Sequence, residues 1–131
     1  MSRIATTLSE DGRHLTIHVE RDLRFLDYRR FREIRESAPQ TVTGVSVDFS
    51  QTRYLDSAGL GIVLSLQRYA QTRGWPVRLI HCRDRVAEML GLLETEGRFV
   101  GERHEQGMQF IATDRAPMVA RQLEGSNESG L

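Results

Sequence analysis

The sequence lacks the features that mark exported, disulfide-stabilised or membrane-spanning proteins. Its 131 residues include one cysteine, Cys82, so an internal disulfide is excluded and a reducing compartment is indicated. No apolar run approaches the roughly 18 residues that a membrane-spanning helix needs, and the N-terminus has no apolar core of the kind found in signal peptides. These absences predict a cytoplasmic protein without direct membrane insertion, in which Cys82 is a small packing residue at a strand end.

Lysine is also absent, and the 18 basic residues are all arginines, balanced by 18 acidic residues. The formal net charge is therefore zero. The order of the charges shows no basic face of the kind that duplex-DNA binders carry, so nucleic acid is not an expected partner. Codon bias is the simpler explanation for the missing lysine, and a surface of arginine-based ion pairs is the alternative.

The hydrophobic pattern of the N-terminal half predicts two strands, a helix and a third strand. Residues 4–8 and 14–20 suit a hairpin, and the second of these segments alternates polar and apolar side chains. Apolar residues recur at helical spacing after Asp27, which is a candidate N-cap, and Pro39 ends the predicted helix. Residues 45–49 are rich in β-branched side chains and predict a buried strand.

The following segments continue the alternation of helices and strands. The strongest helix covers residues 58–73 and has a wide apolar arc, with Gly74 as its natural C-cap. Strands are predicted at 77–81 and 98–100, with a short amphipathic helix around residues 86–93 between them. A strand, a helix and a strand in this order close right-handed with parallel strands. The predicted fold is α/β, in the order β-β-α-β-α-β-α-β, with a small mixed sheet of four to five strands and helices mainly on one face.

The chain length suits one domain with a single core. We place this domain at residues 1–105 and a C-terminal extension at residues 106–131. The pattern of the extension is ambiguous, since it allows a further strand containing Met108, Phe110 and Ile111 and a short helix at 117–122. Residues 126–131 are small and polar, which predicts disorder.

Ser57 stands where a polar loop leads into the strongest helix. With a helix that starts at Ala58, Ser57 would be the N-cap, and its oxygen would accept from a free N–H near Leu60. The same position puts the hydroxyl at the positive end of the helix dipole, where an added phosphate is tolerated. Gly59 and Gly61 each cost about 1 kcal/mol of helix propensity relative to alanine. They either leave the backbone open to another molecule or allow tight packing against a neighbouring strand.

Two carboxylates, Asp48 and Asp56, precede this serine, at the carboxyl ends of the predicted strand and of the loop. A phosphate on Ser57 would add roughly −1.5 to −2 charges beside them, and the free N–H groups of the helix would offset part of the repulsion. The fold is then expected to survive phosphorylation, while the local surface changes its preference for an acidic or apolar partner. The residues thus favour a site that is modified and then recognised by another protein.

The same residues do not favour catalysis. The sequence has no G-x-S-x-G motif, and none of its four histidines, at positions 14, 18, 81 and 104, is placed as a base for Ser57. His14 and His18 lie four residues apart on one strand face, which is more typical of a polar face than of a metal site. We therefore predict that the protein is not an enzyme and holds no metal or cofactor.

The segment from Val47 to Gly61 resembles the signature of STAS domains, named for sulfate transporters and anti-sigma factor antagonists. The resemblance lies in V-D-F-S at 47–50 and Y-L-D-S-A-G-L-G at 54–61, and the order of elements agrees over residues 4–100. It implies a sheet of four or five strands with helices packed against it. It also implies a phosphorylation-controlled binding module in which Ser57 is the phosphoacceptor.

The resemblance further implies the partners. The kinase of such modules is typically an anti-sigma factor with a histidine-kinase-like ATPase fold, which the unphosphorylated module binds, freeing a sigma factor or other target. A metal-dependent serine phosphatase, often fused to a receiver domain, reverses the mark. A constitutive scaffold subunit of a transporter or of a stressosome-like assembly is the alternative, because STAS-like domains also serve in that way.

The docking surface predicted for such a partner is the loop at 50–56 with the first turn of the next helix. Its residues are Ser50, Tyr54, Asp56, Gly59 and Leu60, whereas Val63 is expected in the core. The sequence departs from the family after the second strand, where many antagonists carry a glycine and an acidic residue and this chain has Arg21 and Arg24. Arg24 would then lie with Asp48 near a phosphate on Ser57, either pairing with it or facing solvent.

Overall fold

A computed structural model describes residues 4–113 as six strands and three α-helices. In chain order the elements are β1 (Ile4–Leu8), β2 (His14–Val19), a 3-10 helix (Phe25–Asp27), α1 (Tyr28–Glu36), β3 (Gly44–Asp48), α2 (Ser57–Arg73), β4 (Val77–Cys82), α3 (Asp84–Thr95), β5 (Phe99–His104) and β6 (Gly107–Ala112). This arrangement confirms the α/β class and the predicted order of elements, with one more strand than the four to five expected.

The strands form one mixed sheet in the order β1-β2-β3-β4-β6-β5. β1 and β2 are an antiparallel hairpin, and β2, β3 and β4 are parallel, as the crossover helices α1 and α2 require. Registry places Ile17 opposite Val47 and Val47 opposite Leu79, so one row of fully buried side chains crosses the centre of the sheet. The carboxyl ends of these three strands therefore meet at one edge, where the loop before α2 begins.

The helices cover one face of the sheet. β2 alternates between the buried Leu15, Ile17 and Val19 and the more accessible residues between them, which is the pattern of a strand packed on one side only. The buried strand and helix residues belong to one hydrophobic cluster. α2 contributes Val63 to this cluster, fully buried as predicted, and ends at Gly74 in the left-handed conformation (φ 71°).

The additional strand is β6, formed by residues 107–112. These residues, which the sequence analysis assigned to a C-terminal extension, pair antiparallel with both β4 and β5 inside the sheet. Phe110 explains the insertion physically, because its ring is buried and lies opposite Leu79 of β4. The helix predicted at 117–122 and the disorder predicted at 126–131 lie outside the described residues.

The start of α1 is more elaborate than predicted. Asp27 does precede α1, but its side chain does not cap that helix. Instead Asp27 Oδ2 accepts a hydrogen bond of 2.9 Å from the backbone N–H of Arg24, closing the preceding 3-10 helix. The sequence pattern did not reveal this short helix, which leaves Phe25 and Leu26 largely exposed, at 71% and 85%.

Cys82 is buried at the end of β4, as the sequence predicted. Burial raises the pKa of its thiol to about 12, and the nearby charge of Asp48 adds to the effect. Because the thiolate is the reactive form, we expect native Cys82 to resist a disulfide reagent such as dithionitrobenzoate at pH 8. The same chain in urea should release one equivalent of thionitrobenzoate; rapid reaction of the folded protein would contradict this prediction.

No helix within residues 4–113 is long and apolar enough to cross a membrane.

Candidate functional site

The loop between β3 and α2 is held in place by contacts with the segment that follows β2. Thr52 Oγ1 donates to the carbonyl of Val19 at 2.8 Å, and the backbone N–H of Tyr54 donates to Asp22 Oδ1 at 3.1 Å. Leu23 and Leu55, both fully buried, form a parallel bridge. The start of α2 therefore has a fixed position, since two segments about thirty residues apart in sequence support it together.

The N-cap of α2 is Asp56, so the prediction of Ser57 as the cap was wrong. Asp56 has extended backbone angles, and its Oδ1 accepts a hydrogen bond of 2.7 Å from the N–H of Gly59. A carboxylate at this position both caps the helix and interacts favourably with the helix dipole. The spacing in the sequence does not separate the two candidates, because Ser57 precedes Leu60 by the same three residues that separate Asp56 from Gly59.

This shift by one residue frees the Ser57 hydroxyl. Ser57 is the first residue of α2 and is exposed. Within residues 4–113 no hydrogen bond to its hydroxyl is found, so α2 does not depend on Ser57 for its cap. Modification of this oxygen would leave the hydrogen bond between Asp56 and Gly59 intact.

The two glycines of the first turn differ in their surroundings. A Cβ at Gly59 would lie 2.7 Å from the carbonyl oxygen of Leu23 and 3.0 Å from Leu55 Cβ, and Gly59 is buried. Gly61 is exposed, and a Cβ there would meet no atom within 4 Å. Tight packing is thus the role of Gly59, and only Gly61 leaves open backbone on the outside of the helix.

Asp48, at the carboxyl end of β3, lies between two histidines. Its Oδ1 accepts from His81 Nδ1 at 2.9 Å and from the backbone N–H of Ser50 at 2.9 Å, and its Oδ2 is 3.1 Å from His18 Nδ1. Burial acts to raise the pKa of Asp48, but the hydrogen bonds from His81, Ser50 and His18 outweigh it and hold the pKa below the usual 3.8. The carboxylate is therefore ionised and fully engaged at neutral pH.

Sequence reasoning treated these histidines as scattered, and the structure brings two of them together. His18 of β2 lies directly opposite Asp48 of β3 in the sheet. His81 contacts Asp48 from β4, at an irregularity of the strand register where His81 itself has a φ of 58°. His14 instead contacts Ser46 Oγ at 2.8 Å, in keeping with a polar strand face. Residues 4–113 contain no group of three or more His, Cys, Asp or Glu side chains arranged to hold a metal ion.

Arg24 follows directly after the bridge between Leu23 and Leu55, so its backbone lies next to the loop that leads into α2. Its guanidinium is 66% exposed and lies 3.6 Å from Asp22 Oδ2. In the described part of the chain no hydrogen bond joins Ser57 to Arg24 or to Asp48. Each of the two has other partners, Asp22 for Arg24 and the two histidines and the Ser50 amide for Asp48, so their proximity to a phosphate on Ser57 stays a prediction.

The remaining predicted docking residues differ in accessibility. Ser50 is exposed, Tyr54 is 39% exposed and Leu60 is half-buried against the core. The 3-10 helix that carries Phe25 and Leu26 contacts α2, so these two exposed apolar residues extend the same surface. Sequence reasoning missed them, although two adjacent large apolar residues outside the helical spacing of α1 were a usable signal.

Comparison with known proteins places this geometry in a family. A family model described as Mlab, STAS domain matches residues 6–101. A STAS-domain containing protein of Pseudomonas aeruginosa (strain UCBPP-PA14) is 31% identical over 91 residues, which cover 70% of this chain and 90% of that protein. Both matches include the loop, the cap and the first turn of α2 described above.

Solved structures agree at the level of the fold. The anti-sigma factor antagonist SpoIIAA in its unphosphorylated form has a TM-score of 0.56 at 17% identity, covering 70% of this chain and 81% of that chain. A sulfate transporter family protein from Wolinella succinogenes has a TM-score of 0.57 at 15% identity, covering 68% and 74%. Since the family model matches residues 6–101, which is more than half of the chain, and the Pseudomonas relative is 31% identical over 90% of its own length, the chain belongs to the STAS domain family.

Proposed function

We propose that this protein is a phosphorylation-switched binding protein of the anti-sigma factor antagonist type. The observation that carries the proposal is the exposed hydroxyl of Ser57, which has no hydrogen-bond partner among residues 4–113, on a helix capped independently by Asp56. Unphosphorylated, the protein would bind an anti-sigma factor that is also a serine kinase with a histidine-kinase-like ATPase fold. Phosphorylation of Ser57 would release that partner, and a metal-dependent serine phosphatase would restore binding.

The local electrostatics support a switch that leaves the fold intact. A phosphate on Ser57 would carry roughly −1.5 to −2 charges at the N-terminus of a helix of 17 residues, where the dipole favours anions. The guanidinium of Arg24 is largely exposed and can turn to pair with such a phosphate. Asp48 keeps its negative charge and would repel the phosphate, and the hydrogen bonds that its carboxylate accepts from two histidines and the Ser50 amide would offset part of that repulsion.

The accessible residues around Ser57 would form the docking surface. Tyr54 and Leu60 offer apolar contacts, while Ser50 and Asp56 offer polar ones. Gly59 would act indirectly, by letting α2 approach Leu23. SpoIIAA has been solved in its phosphorylated as well as its unphosphorylated form, with TM-scores to this chain of 0.51 and 0.56.

Incubation with ATP and the candidate kinase should add one phosphate to the chain, located on Ser57 by phosphopeptide mass spectrometry. Ser57→Ala should accept none, whereas Ser50→Ala, which removes the exposed serine hydroxyl at the start of this loop, should still be modified. A Ser57→Asp variant should bind the kinase at least about tenfold more weakly. Its melting temperature should stay within a few degrees of the wild type, because the Asp56 cap is unchanged.

Phosphate that persists in Ser57→Ala would refute this assignment. A second outcome would favour the alternative of a constitutive scaffold in a transporter or stressosome-like assembly: unchanged partner binding by Ser57→Asp, with co-purification of a membrane ATPase. The fold similarity to a sulfate transporter family protein is compatible with that role.

A further inference from the structure

An arginine-lined groove lies beside the loop that carries Ser57. Its volume is about 600 Å³, and its walls come from the segment after β2, from α1 and from the loop after β3. Four arginines line it: Arg21, Arg24, Arg30 and Arg53. Two of them, Arg21 and Arg24, belong to the segment directly after β2.

Two of the three acidic residues of the groove, Asp22 and Asp27, already form contacts within the protein, and the third, Glu20, is exposed. Asp22 accepts from the backbone N–H of Tyr54 and lies 3.6 Å from Arg24, and Asp27 accepts from the backbone N–H of Arg24. By contrast, no hydrogen bond or ion pair to Arg21, Arg30 or Arg53 is found within residues 4–113. Three cationic groups are therefore available to an incoming anion.

An apolar edge adjoins these charges. Leu26 lines the groove and is 85% exposed, and Phe25, next to it in the 3-10 helix, is 71% exposed. Large apolar side chains with this exposure, beside unpaired arginines, are the composition of a protein-binding surface. The arginines can bind carboxylates bidentately, while Phe25 and Leu26 can bury an apolar side chain.

We propose that this groove docks an acidic segment of a partner protein that carries at least one large apolar residue. A nucleic acid fits less well, because a phosphate backbone would contact the arginines and leave the exposed apolar side chains of Phe25 and Leu26 in water. The inference rests on the proposed function, since the groove adjoins the Ser57 surface and would serve the same partner. It adds the chemistry of that partner's contact segment.

The test is an NMR titration of the full-length, 15N-labelled protein with a short synthetic peptide in which glutamates and aspartates flank a leucine and a phenylalanine. Two matched peptides replace the acidic residues with lysine or the apolar residues with serine, and a short DNA duplex is a further probe. We expect the acidic apolar peptide to shift amides in the segments at 20–30 and 51–54. Binding should weaken with added salt.

Two variants separate the groove from the rest of the surface. The double variant Arg21→Glu with Arg53→Glu should weaken binding of the acidic peptide by about tenfold or more. The control variant Arg78→Glu with Arg103→Glu reverses two exposed charges on β4 and β5 and should leave this binding unchanged. Leu26→Ser removes an exposed side chain and should weaken binding without unfolding the protein. Equal binding of the lysine peptide, stronger binding of DNA, or shifts mapping elsewhere would overturn the proposal. The titration contains no kinase or ATP, so its outcome is independent of whether Ser57 is phosphorylated.

Discussion

Replacement of Gly59 by alanine is expected to lower the free energy of unfolding by about 2 kcal/mol. The added Cβ would lie 2.7 Å from the carbonyl oxygen of Leu23, a backbone atom that cannot rotate away as a side chain would. Overpacking of this kind costs about 3 kcal/mol, and the gain in helix propensity from glycine to alanine returns only about 1 kcal/mol. Urea unfolding followed by circular dichroism measures the difference directly.

Gly61 provides the matched control, since it lies in the same turn of the same helix. A Cβ at this position meets no atom within 4 Å, so Gly61→Ala should raise stability by about 0.5 to 1 kcal/mol. Opposite changes in stability at two glycines two residues apart would show that packing against Leu23, and not helix propensity, determines the effect at Gly59. Equal stabilisation of both variants would mean that the close approach of α2 to Leu23 does not exist.

The second large effect is expected at Asp48. Asp48→Asn keeps the size of the side chain and replaces the carboxylate, which accepts hydrogen bonds from His18, His81 and the Ser50 amide, by an uncharged amide. Hydrogen bonds to a charged and largely buried group contribute more than neutral ones, so a loss of about 2 kcal/mol at pH 7 is expected. The measurement is again the free energy of unfolding in urea.

The same residue predicts how stability responds to acid. The pKa of Asp48 in the folded protein is lower than its usual value of 3.8. Its ionised form therefore stabilises the fold at every pH above 3.8, and this contribution is lost as the pH falls through the folded-state pKa. The Asp48→Asn variant has no such carboxylate to protonate, so the stability curves of the variant and the wild type should converge as the pH falls below 3.8.

Glu102→Gln is the control for Asp48. Like Asp48, Glu102 lies close to a histidine, with its Oε2 3.6 Å from His104 Nε2. Both of these side chains are 52% exposed. An exposed pair contributes little, so this variant should change stability by less than about 0.5 kcal/mol. If Glu102→Gln and Asp48→Asn had equal effects, burial and the number of hydrogen bonds at Asp48 would not be the source of its contribution.

The central elements of the fold were predictable because their signals are local. The β-branched strand at 45–49, the wide apolar arc of α2 and the C-cap at Gly74 each depend on residues close together in the sequence. β6 was left ambiguous, because its residues become a strand only by inserting between β4 and β5. The 3-10 helix was missed for a different reason, since it is one turn long and its backbone hydrogen bonds, from Asp27 to Arg24 and from Tyr28 to Phe25, leave no periodic pattern in the sequence.

The sequence by itself determined the family signature, the order of elements and the position of Ser57 at the start of α2. It could not choose between Asp56 and Ser57 as the cap, because both residue types cap helices and only backbone angles decide which side chain meets the free N–H of Gly59. Nor could it predict the contacts among His18, Asp48 and His81, since thirty or more residues of chain separate each of them from the next. Parallel pairing of β2, β3 and β4 brings their carboxyl ends to one edge, and this long-range registry is what only the tertiary structure decides.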